Sequence, residues 1–295
     1  MLRGVALSAS VVFAMGCTDE LALGTQTSAL VDLNAFSLPD MAEGERMEVV
    51  HRYDHLDPTN LIPRGLLEDT ILYFDVNKAV IPKTSYVVVV DMSLHSGKDR
   101  YWLVDLASGA VEPHKVAHGD GSDPDNNGTA TLFGNVEGSH KTSLGFYLTG
   151  EIYNGTHPHS MRLDGLSRDG SPNNLANTNA RERLIVMHEA DYVDDSNTSQ
   201  QGRSNGCLAL DPSIEVAMVD RIFGGSLIYT AITPLNTPVG RSDGMMDPPT
   251  DDPRPPDDDG EVPDDTDATA GCSAAGGSSG LLLALALLGL RRRRR

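Results

Sequence analysis

Cysteine is scarce in this chain, with three in 295 residues, at positions 17, 207 and 272. Two of them lie close to the ends, so no framework of paired cysteines is laid out across the middle. Positive charge is scarce as well: 23 Lys and Arg stand against 42 Asp and Glu, for a net charge of -19. That balance disfavours a phosphate-binding surface, so nucleic acid is excluded as a partner for the folded part. A third shortage is of long apolar runs. The Leu/Ala run near the C-terminus falls short of the roughly 20 residues a spanning helix needs. From Arg241 to Gly271 large apolar residues are almost missing while Asp and Pro crowd together. Such a segment cannot bury enough surface to offset its ordering entropy, and its self-repelling charge keeps it extended.

The ends carry targeting patterns. "MLRGVALSASVVFAMGC" has a basic start, an apolar stretch and small residues before Cys17, the order of an export signal. Ala14-Met15-Gly16-Cys17 resembles a bacterial lipobox, although Ala14 replaces the usual larger aliphatic; acylation of Cys17 and plain cleavage both stay open. "GCSAAGGSSGLLLALALLGLRRRRR" places Cys272, a weak apolar segment and an arginine block in sequence. The arginines would stay cytoplasmic. This ending resembles the myxobacterial-type C-terminal sorting signal, which implies processing near Cys272.

The resulting division is a signal peptide over 1–16, a flexible leader over 17–47 and a helical approach segment over 48–85. A catalytic domain is expected over 86–237, an Asp/Pro-rich stalk over 238–271 and a sorting segment over 272–295. Within the folded part, "LLEDTILYFDVNK" puts Leu67, Ile71 and Phe74 on one helical face. "YVVVVDMS" reads as a buried strand forming a hairpin with "DRYWLVDL". "RLIVMHEA" and "GSLIYTAI" read as further strands. One later helix is expected, capped by Asp211, opened by Pro212, lined by Ile214, Met218 and Ile222, and stopped by Gly224-Gly225. Strands dominate, so the expected fold class is a β-rich mixed α/β structure with few helices.

With Cys17 and Cys272 assigned to targeting, Cys207 is left as an odd cysteine in an exported protein, a candidate reactive thiol. His188 ends a strand 19 positions earlier. An imidazole at the rim of a sheet can activate a thiol, and the backbone of Ser204, Asn205 and Gly206 could supply oxyanion donors. On spacing alone the signal is weak, since free cysteines are more often buried hydrophobes than nucleophiles.

The stretches "YVVVVDMSLHSGKDRYWLVDLASGAVEPHKVAHG", "SLGFYLTGEIYNG", "SMRLDGL", "ARERLIVMHEADYV" and "GRSNGCLAL" together resemble the catalytic domain of the exported YkuD-like L,D-transpeptidases, over about Tyr86 to Ile232. The resemblance implies a β-sandwich or barrel-like catalytic domain, with Cys207 as nucleophile and His188 as its activating base. Ser204, Asn205 and Gly206 would form the segment before the nucleophile. The implied reaction is thioester formation on a peptidoglycan stem peptide, followed by transfer to an amine or to water. No cofactor is called for. Glu189 after the histidine and Asn205 before Gly206 depart from the usual residues.

Arg203 could bind the substrate carboxylate or make a surface ion pair. His118 could line the cleft or be structural. "DPDNNG" imitates half of a calcium loop, but position twelve would be Gly134 and no helix flanks it, so it reads as an acidic turn. His157-Pro158-His159 lacks a third ligand, and no metal is expected. A monomer at the cell envelope or surface, held through its termini, completes the expectation. Two rivals remain: a catalytically silent peptidoglycan-binding domain, and another Cys-His acyl transferase such as a sortase. The latter is disfavoured because no arginine follows Cys207 before Arg221.

Overall fold

A computed structural model describes residues 31–168 and 175–233. The expected signal peptide, stalk and sorting segment, with Cys17 and Cys272, lie outside them. Residues 31–47, expected to be a flexible leader, carry a 3-10 turn at Leu33–Ala35 and the start of α1 (Glu43–Arg52). The cause is a contact distant in sequence. Asn77 accepts from the Ser37 amide and donates to the Ser37 carbonyl, each at 2.8 Å, and so ties this stretch to α2 (Arg64–Asn77).

α1 has Glu43 and Glu45 in its first turn and His51 and Arg52 in its last, an order that complements the helix dipole. It ends on α2 through Tyr53 and Arg52, both bonded to the Asp75 carboxylate. α2 is covered more widely than the stripe Leu67, Ile71 and Phe74 suggested. Leu66, Leu72 and Tyr73 are also buried while Leu67 is only half-buried, since α1 covers one side and the sheet another.

Among the described residues ten strands and three α-helices form, the β-rich mixed fold expected. The strands are β1 (Tyr86–Asp91), β2 (Tyr101–Asp105), β3 (Val111–His114), β4 (His118–Gly119), β5 (Gly145–Tyr153), β6 (Ser160–Gly165), β7 (Val186–Glu189), β8 (Arg203–Ser204), β9 (Leu208–Leu210) and β10 (Leu227–Ala231). Eight make one sheet in the order β3-β2-β1-β10-β5-β6-β7-β9, and β4 and β8 make a separate ladder. The β1–β2 hairpin is antiparallel as expected, whereas β1–β10 and β7–β9 are parallel. Val87 to Val90 are fully buried, which explains why β1 is apolar on both faces. Tyr73 of α2 stacks on Phe146 of β5 at 3.8 Å, and Phe146 on Tyr229 of β10 at 4.2 Å, so the approach helix shares the core of the sheet.

α3 (Glu215–Ile222) begins later than expected. Asp211 caps the preceding turn instead: its carbonyl accepts from Ile214 and Glu215, and its carboxylate accepts from Ser213 and Asp195. Met218 and Ile222 are buried, Ile214 half-buried, and Gly224 and Gly225 at φ +78° and +123° end the helix.

Candidate functional site

His188 lies on β7, and Cys207 immediately precedes β9, the strand that pairs with β7 at the edge of the sheet. These strands run parallel, with His188 opposite Ala209 and Met187 opposite Leu208. Cys207 packs in the main core beside Leu208 and Leu210, whereas Ala209 lies in a separate cluster with Ala117, Ala190 and Val193. Cys207 and His188 are both fully buried.

The approach to Cys207 is a tight turn. The Ser204 hydroxyl donates to the Cys207 carbonyl at 2.7 Å and accepts from the Gly206 amide at 3.2 Å. Gly206 sits at φ +109°, and a Cβ there would lie 2.9 Å from the Lys141 carbonyl oxygen. Only glycine takes this conformation without strain. The Gly206 amide, expected as an oxyanion donor, is thus bonded inside the turn itself, and Asn205 is half-buried beside it. The Cys207 Sγ lies 3.8 Å from the carbonyl oxygen of Leu184, a residue at φ +55° that no glycine relieves. Strained backbone of this kind costs on the order of 1–3 kcal/mol and persists where its surroundings hold it.

The other two cysteines of the chain lie outside the described residues.

His188 is held in one tautomer. Its Nδ1 is 2.6 Å from the Glu189 carbonyl oxygen, which can only accept, so Nδ1 carries the proton and Nε2 presents its lone pair. Nε2 is buried and has no hydrogen-bond partner among the described residues. Burial first, and the nearby His157 in addition, push the imidazole down to about 4 against the pull of the Glu189 carbonyl. The ring is therefore neutral at physiological pH, as a base must be. Glu189 acts on His188 through its backbone carbonyl. The carboxylate belongs to the alternate face, where it acts on the buried Glu215 of α3.

Arg203 and His118 are brought side by side, since β8 pairs with β4 in the register His118↔Arg203 and Gly119↔Ser204. His118 does not line a cleft. It is fully buried and both ring nitrogens are engaged: Nδ1 accepts from Arg100 at 2.7 Å and Nε2 faces Asp123 at 3.4 Å. Burial and the Arg100 cation hold it down to about 4. The Arg203 guanidinium donates to the backbone carbonyls of Asp120 and Asp123, so its contacts brace a loop. "DPDNNG" folds as the expected turn, with the Asp123 carboxylate accepting from the amides of Asn127 and Gly128.

Three residues escaped the sequence. Arg183 donates to the carbonyls of Gly134 and Lys141 and to the Ser143 hydroxyl, pressing that loop against Gly206. Arg100 is buried, donates to the carbonyls of Leu94 and Val116, and is pushed down to about 9 by burial. His157, weighed only as a metal ligand, stacks on His188 with ring centres 4.2 Å apart. No periodicity marks any of them, because each acts through contacts distant in sequence.

The profile of the L,D-transpeptidase catalytic domain matches residues 60–231, more than half of the chain, and begins before α2 rather than at Tyr86. No curated protein matches the chain. Among solved structures, an L,D-transpeptidase from Mycobacterium smegmatis is similar at 12% identity and a TM-score of 0.31, covering 50% of this chain and 58% of that one. The L,D-transpeptidase LdtMt1 in complex with imipenem gives the same identity, TM-score and coverage. Mycobacterium tuberculosis L,D-transpeptidase 1 is similar at 13% identity, with a TM-score of 0.26 and coverage of 50% and 62%. The chain thus spans less than two thirds of the length of each of these proteins. On the family profile, the chain belongs to the L,D-transpeptidase catalytic domain family.

Proposed function

We propose that this protein is a cysteine-dependent L,D-transpeptidase acting on peptidoglycan stem peptides after export to the cell envelope. The observation that carries the reading is His188: a buried neutral imidazole with Nδ1 spent on a carbonyl and Nε2 unpartnered among the described residues, on the strand paired with the one that Cys207 precedes. In the reduced protein Nε2 takes the Cys207 thiol proton as Sγ attacks the carbonyl of the L-centre of the diamino acid. The C–N bond to the terminal D-residue breaks, and the proton passes from Nε2 to the leaving amine. A thioester remains. An amine of a second stem resolves it to a crosslink, or water resolves it to a trimmed stem. Ser204 holds the Cys207 carbonyl, and the backbone around Asn205 and Gly206 surrounds the reacting carbonyl. Cys17 and Cys272 serve targeting, and the domain works as a monomer held at the envelope through its ends.

Mass spectrometry of stem peptides incubated with the reduced protein tests this. Loss of the terminal D-residue, with crosslinked or trimmed products that Cys207→Ser abolishes, is expected. Products that persist in Cys207→Ser would refute it. One observation favours a second reading, a silent peptidoglycan-binding domain: Cys207 has no exposed surface. Binding of stem peptides without turnover after full reduction would select that reading.

A further inference from the structure

We propose that His157 is a positioning residue for the chemistry of Cys207, its ring fixing the plane of His188 so that Nε2 is aimed at the thiol. This rests on the preceding reading of His188 as the base. A single hydrogen bond from Nδ1 to the Glu189 carbonyl fixes one point of the imidazole and leaves the ring plane free to swing about that contact. The stack supplies the missing constraint. The two rings lie 4.2 Å apart at an interplanar angle of 27°, so a swing of His188 would drive it into His157. Bond and stack together determine where Nε2 lies.

The segment that carries His157 is built to hold it. It is the tip of the β5–β6 hairpin, closed by the Tyr153↔Ser160 pair. Met161 pairs with Met187, so the hairpin end arrives beside His188. The His157 carbonyl accepts from the Ser160 hydroxyl at 2.9 Å, and the His159 amide donates to Asn154 Oδ1 at 3.0 Å. His159, at φ +58°, reaches Asp220 of α3 at 3.0 Å and anchors the tip from outside. His157 also keeps water from one face of His188, whose burial is the main reason it stays neutral. His157, on the hairpin, is the titratable side chain that stacks on the ring and acts on its charge.

The test uses the full chain, reduced, in wild-type form and as His157→Ala and His157→Phe. Two quantities are read: the rate of imipenem adduct formation at Cys207 across pH 5–9, and the NMR titration of His188. His157→Ala should slow acylation on the order of tenfold to a hundredfold at neutral pH, the scale of loss from a misplaced reacting group. His157→Phe, which keeps a flat ring without charge, should recover most of that loss. His188 should titrate higher in His157→Ala than in wild type and stay low in His157→Phe. A wild-type rate in His157→Ala, or a His157→Phe protein as slow as His157→Ala, would overturn the proposal. If wild-type protein forms no adduct, the cysteine chemistry itself fails. The titrations then decide the stack alone, and an unmoved His188 in His157→Ala overturns it.

Discussion

Glu215→Gln should stabilise the protein, and only above mildly acidic pH. Glu215 is fully buried in the first turn of α3, and neither carboxylate oxygen has a hydrogen-bond partner among the described residues. Burial first, then the Glu189 and Asp220 carboxylates, raise it from the ordinary 4.5 to about 7. A carboxyl whose folded value lies above its unfolded value contributes stability that is intact below the unfolded value. That stability is lost as pH rises through the folded one. The displacement corresponds to about 3 kcal/mol once the group is ionised. Glutamine has no proton to lose, so whatever its amide costs is the same at every pH and cancels in a comparison. The stability difference between Glu215→Gln and wild type should therefore be flat below about pH 4.5, open between there and about pH 7, and level off near 3 kcal/mol. Urea titrations of both proteins at pH 4, 6 and 8 measure it, and thermal scans should show an extra gain of about 5–10 °C at pH 8 over pH 4. A difference that does not change between pH 4 and pH 8 would mean that Glu215 is solvated or paired in the native state.

Gly206→Ala places a side chain at φ +109° against the Lys141 carbonyl and should cost on the order of 1–3 kcal/mol in denaturation experiments, with slower acylation of Cys207. In the reduced protein, His188→Ala should slow alkylation of Cys207 by iodoacetamide sharply near neutral pH and recover in alkaline buffer, where the thiolate forms unaided; equal rates at every pH would remove His188 from the role of base. A fragment of residues 31–237 should stay folded and active, whereas one starting at Met47 loses the first turn of α1 and the Ser37 anchor on Asn77 and should melt at lower temperature in a calorimeter.

Much of the fold was legible because its strands are short, apolar and bounded by turn residues. Tyr86–Asp91, Tyr101–Asp105, Val186–Glu189 and Leu227–Ala231 all form where the patterns placed them. What failed were boundaries and partners. α3 starts at Glu215 because Asp211 spends its carboxylate on Ser213 and on Asp195, a contact across 16 positions that no local rule reports. Residues 31–47 read as a leader because what holds them lies far away in sequence: Asn77, 40 positions from Ser37, Arg168 bonded to Asn34, and the core under Phe36 and Met41. At the site, His188 and Cys207 stood out by type and by the resemblance of their surroundings to a family. The direction of Glu189, the burial of His118 and the stacking of His157 depend on strand alternation and pairing, which appear only when β6, β7 and β9 are assembled.

Trapping the acyl-enzyme tests the chemistry most directly. The full chain, reduced and incubated with imipenem, should gain the mass of one imipenem molecule as Sγ opens the lactam. Digestion should place that mass on the peptide containing Cys207, and Cys207→Ser should gain nothing. An adduct on any other residue, or none after complete reduction, would contradict the assignment of Cys207 as the nucleophile.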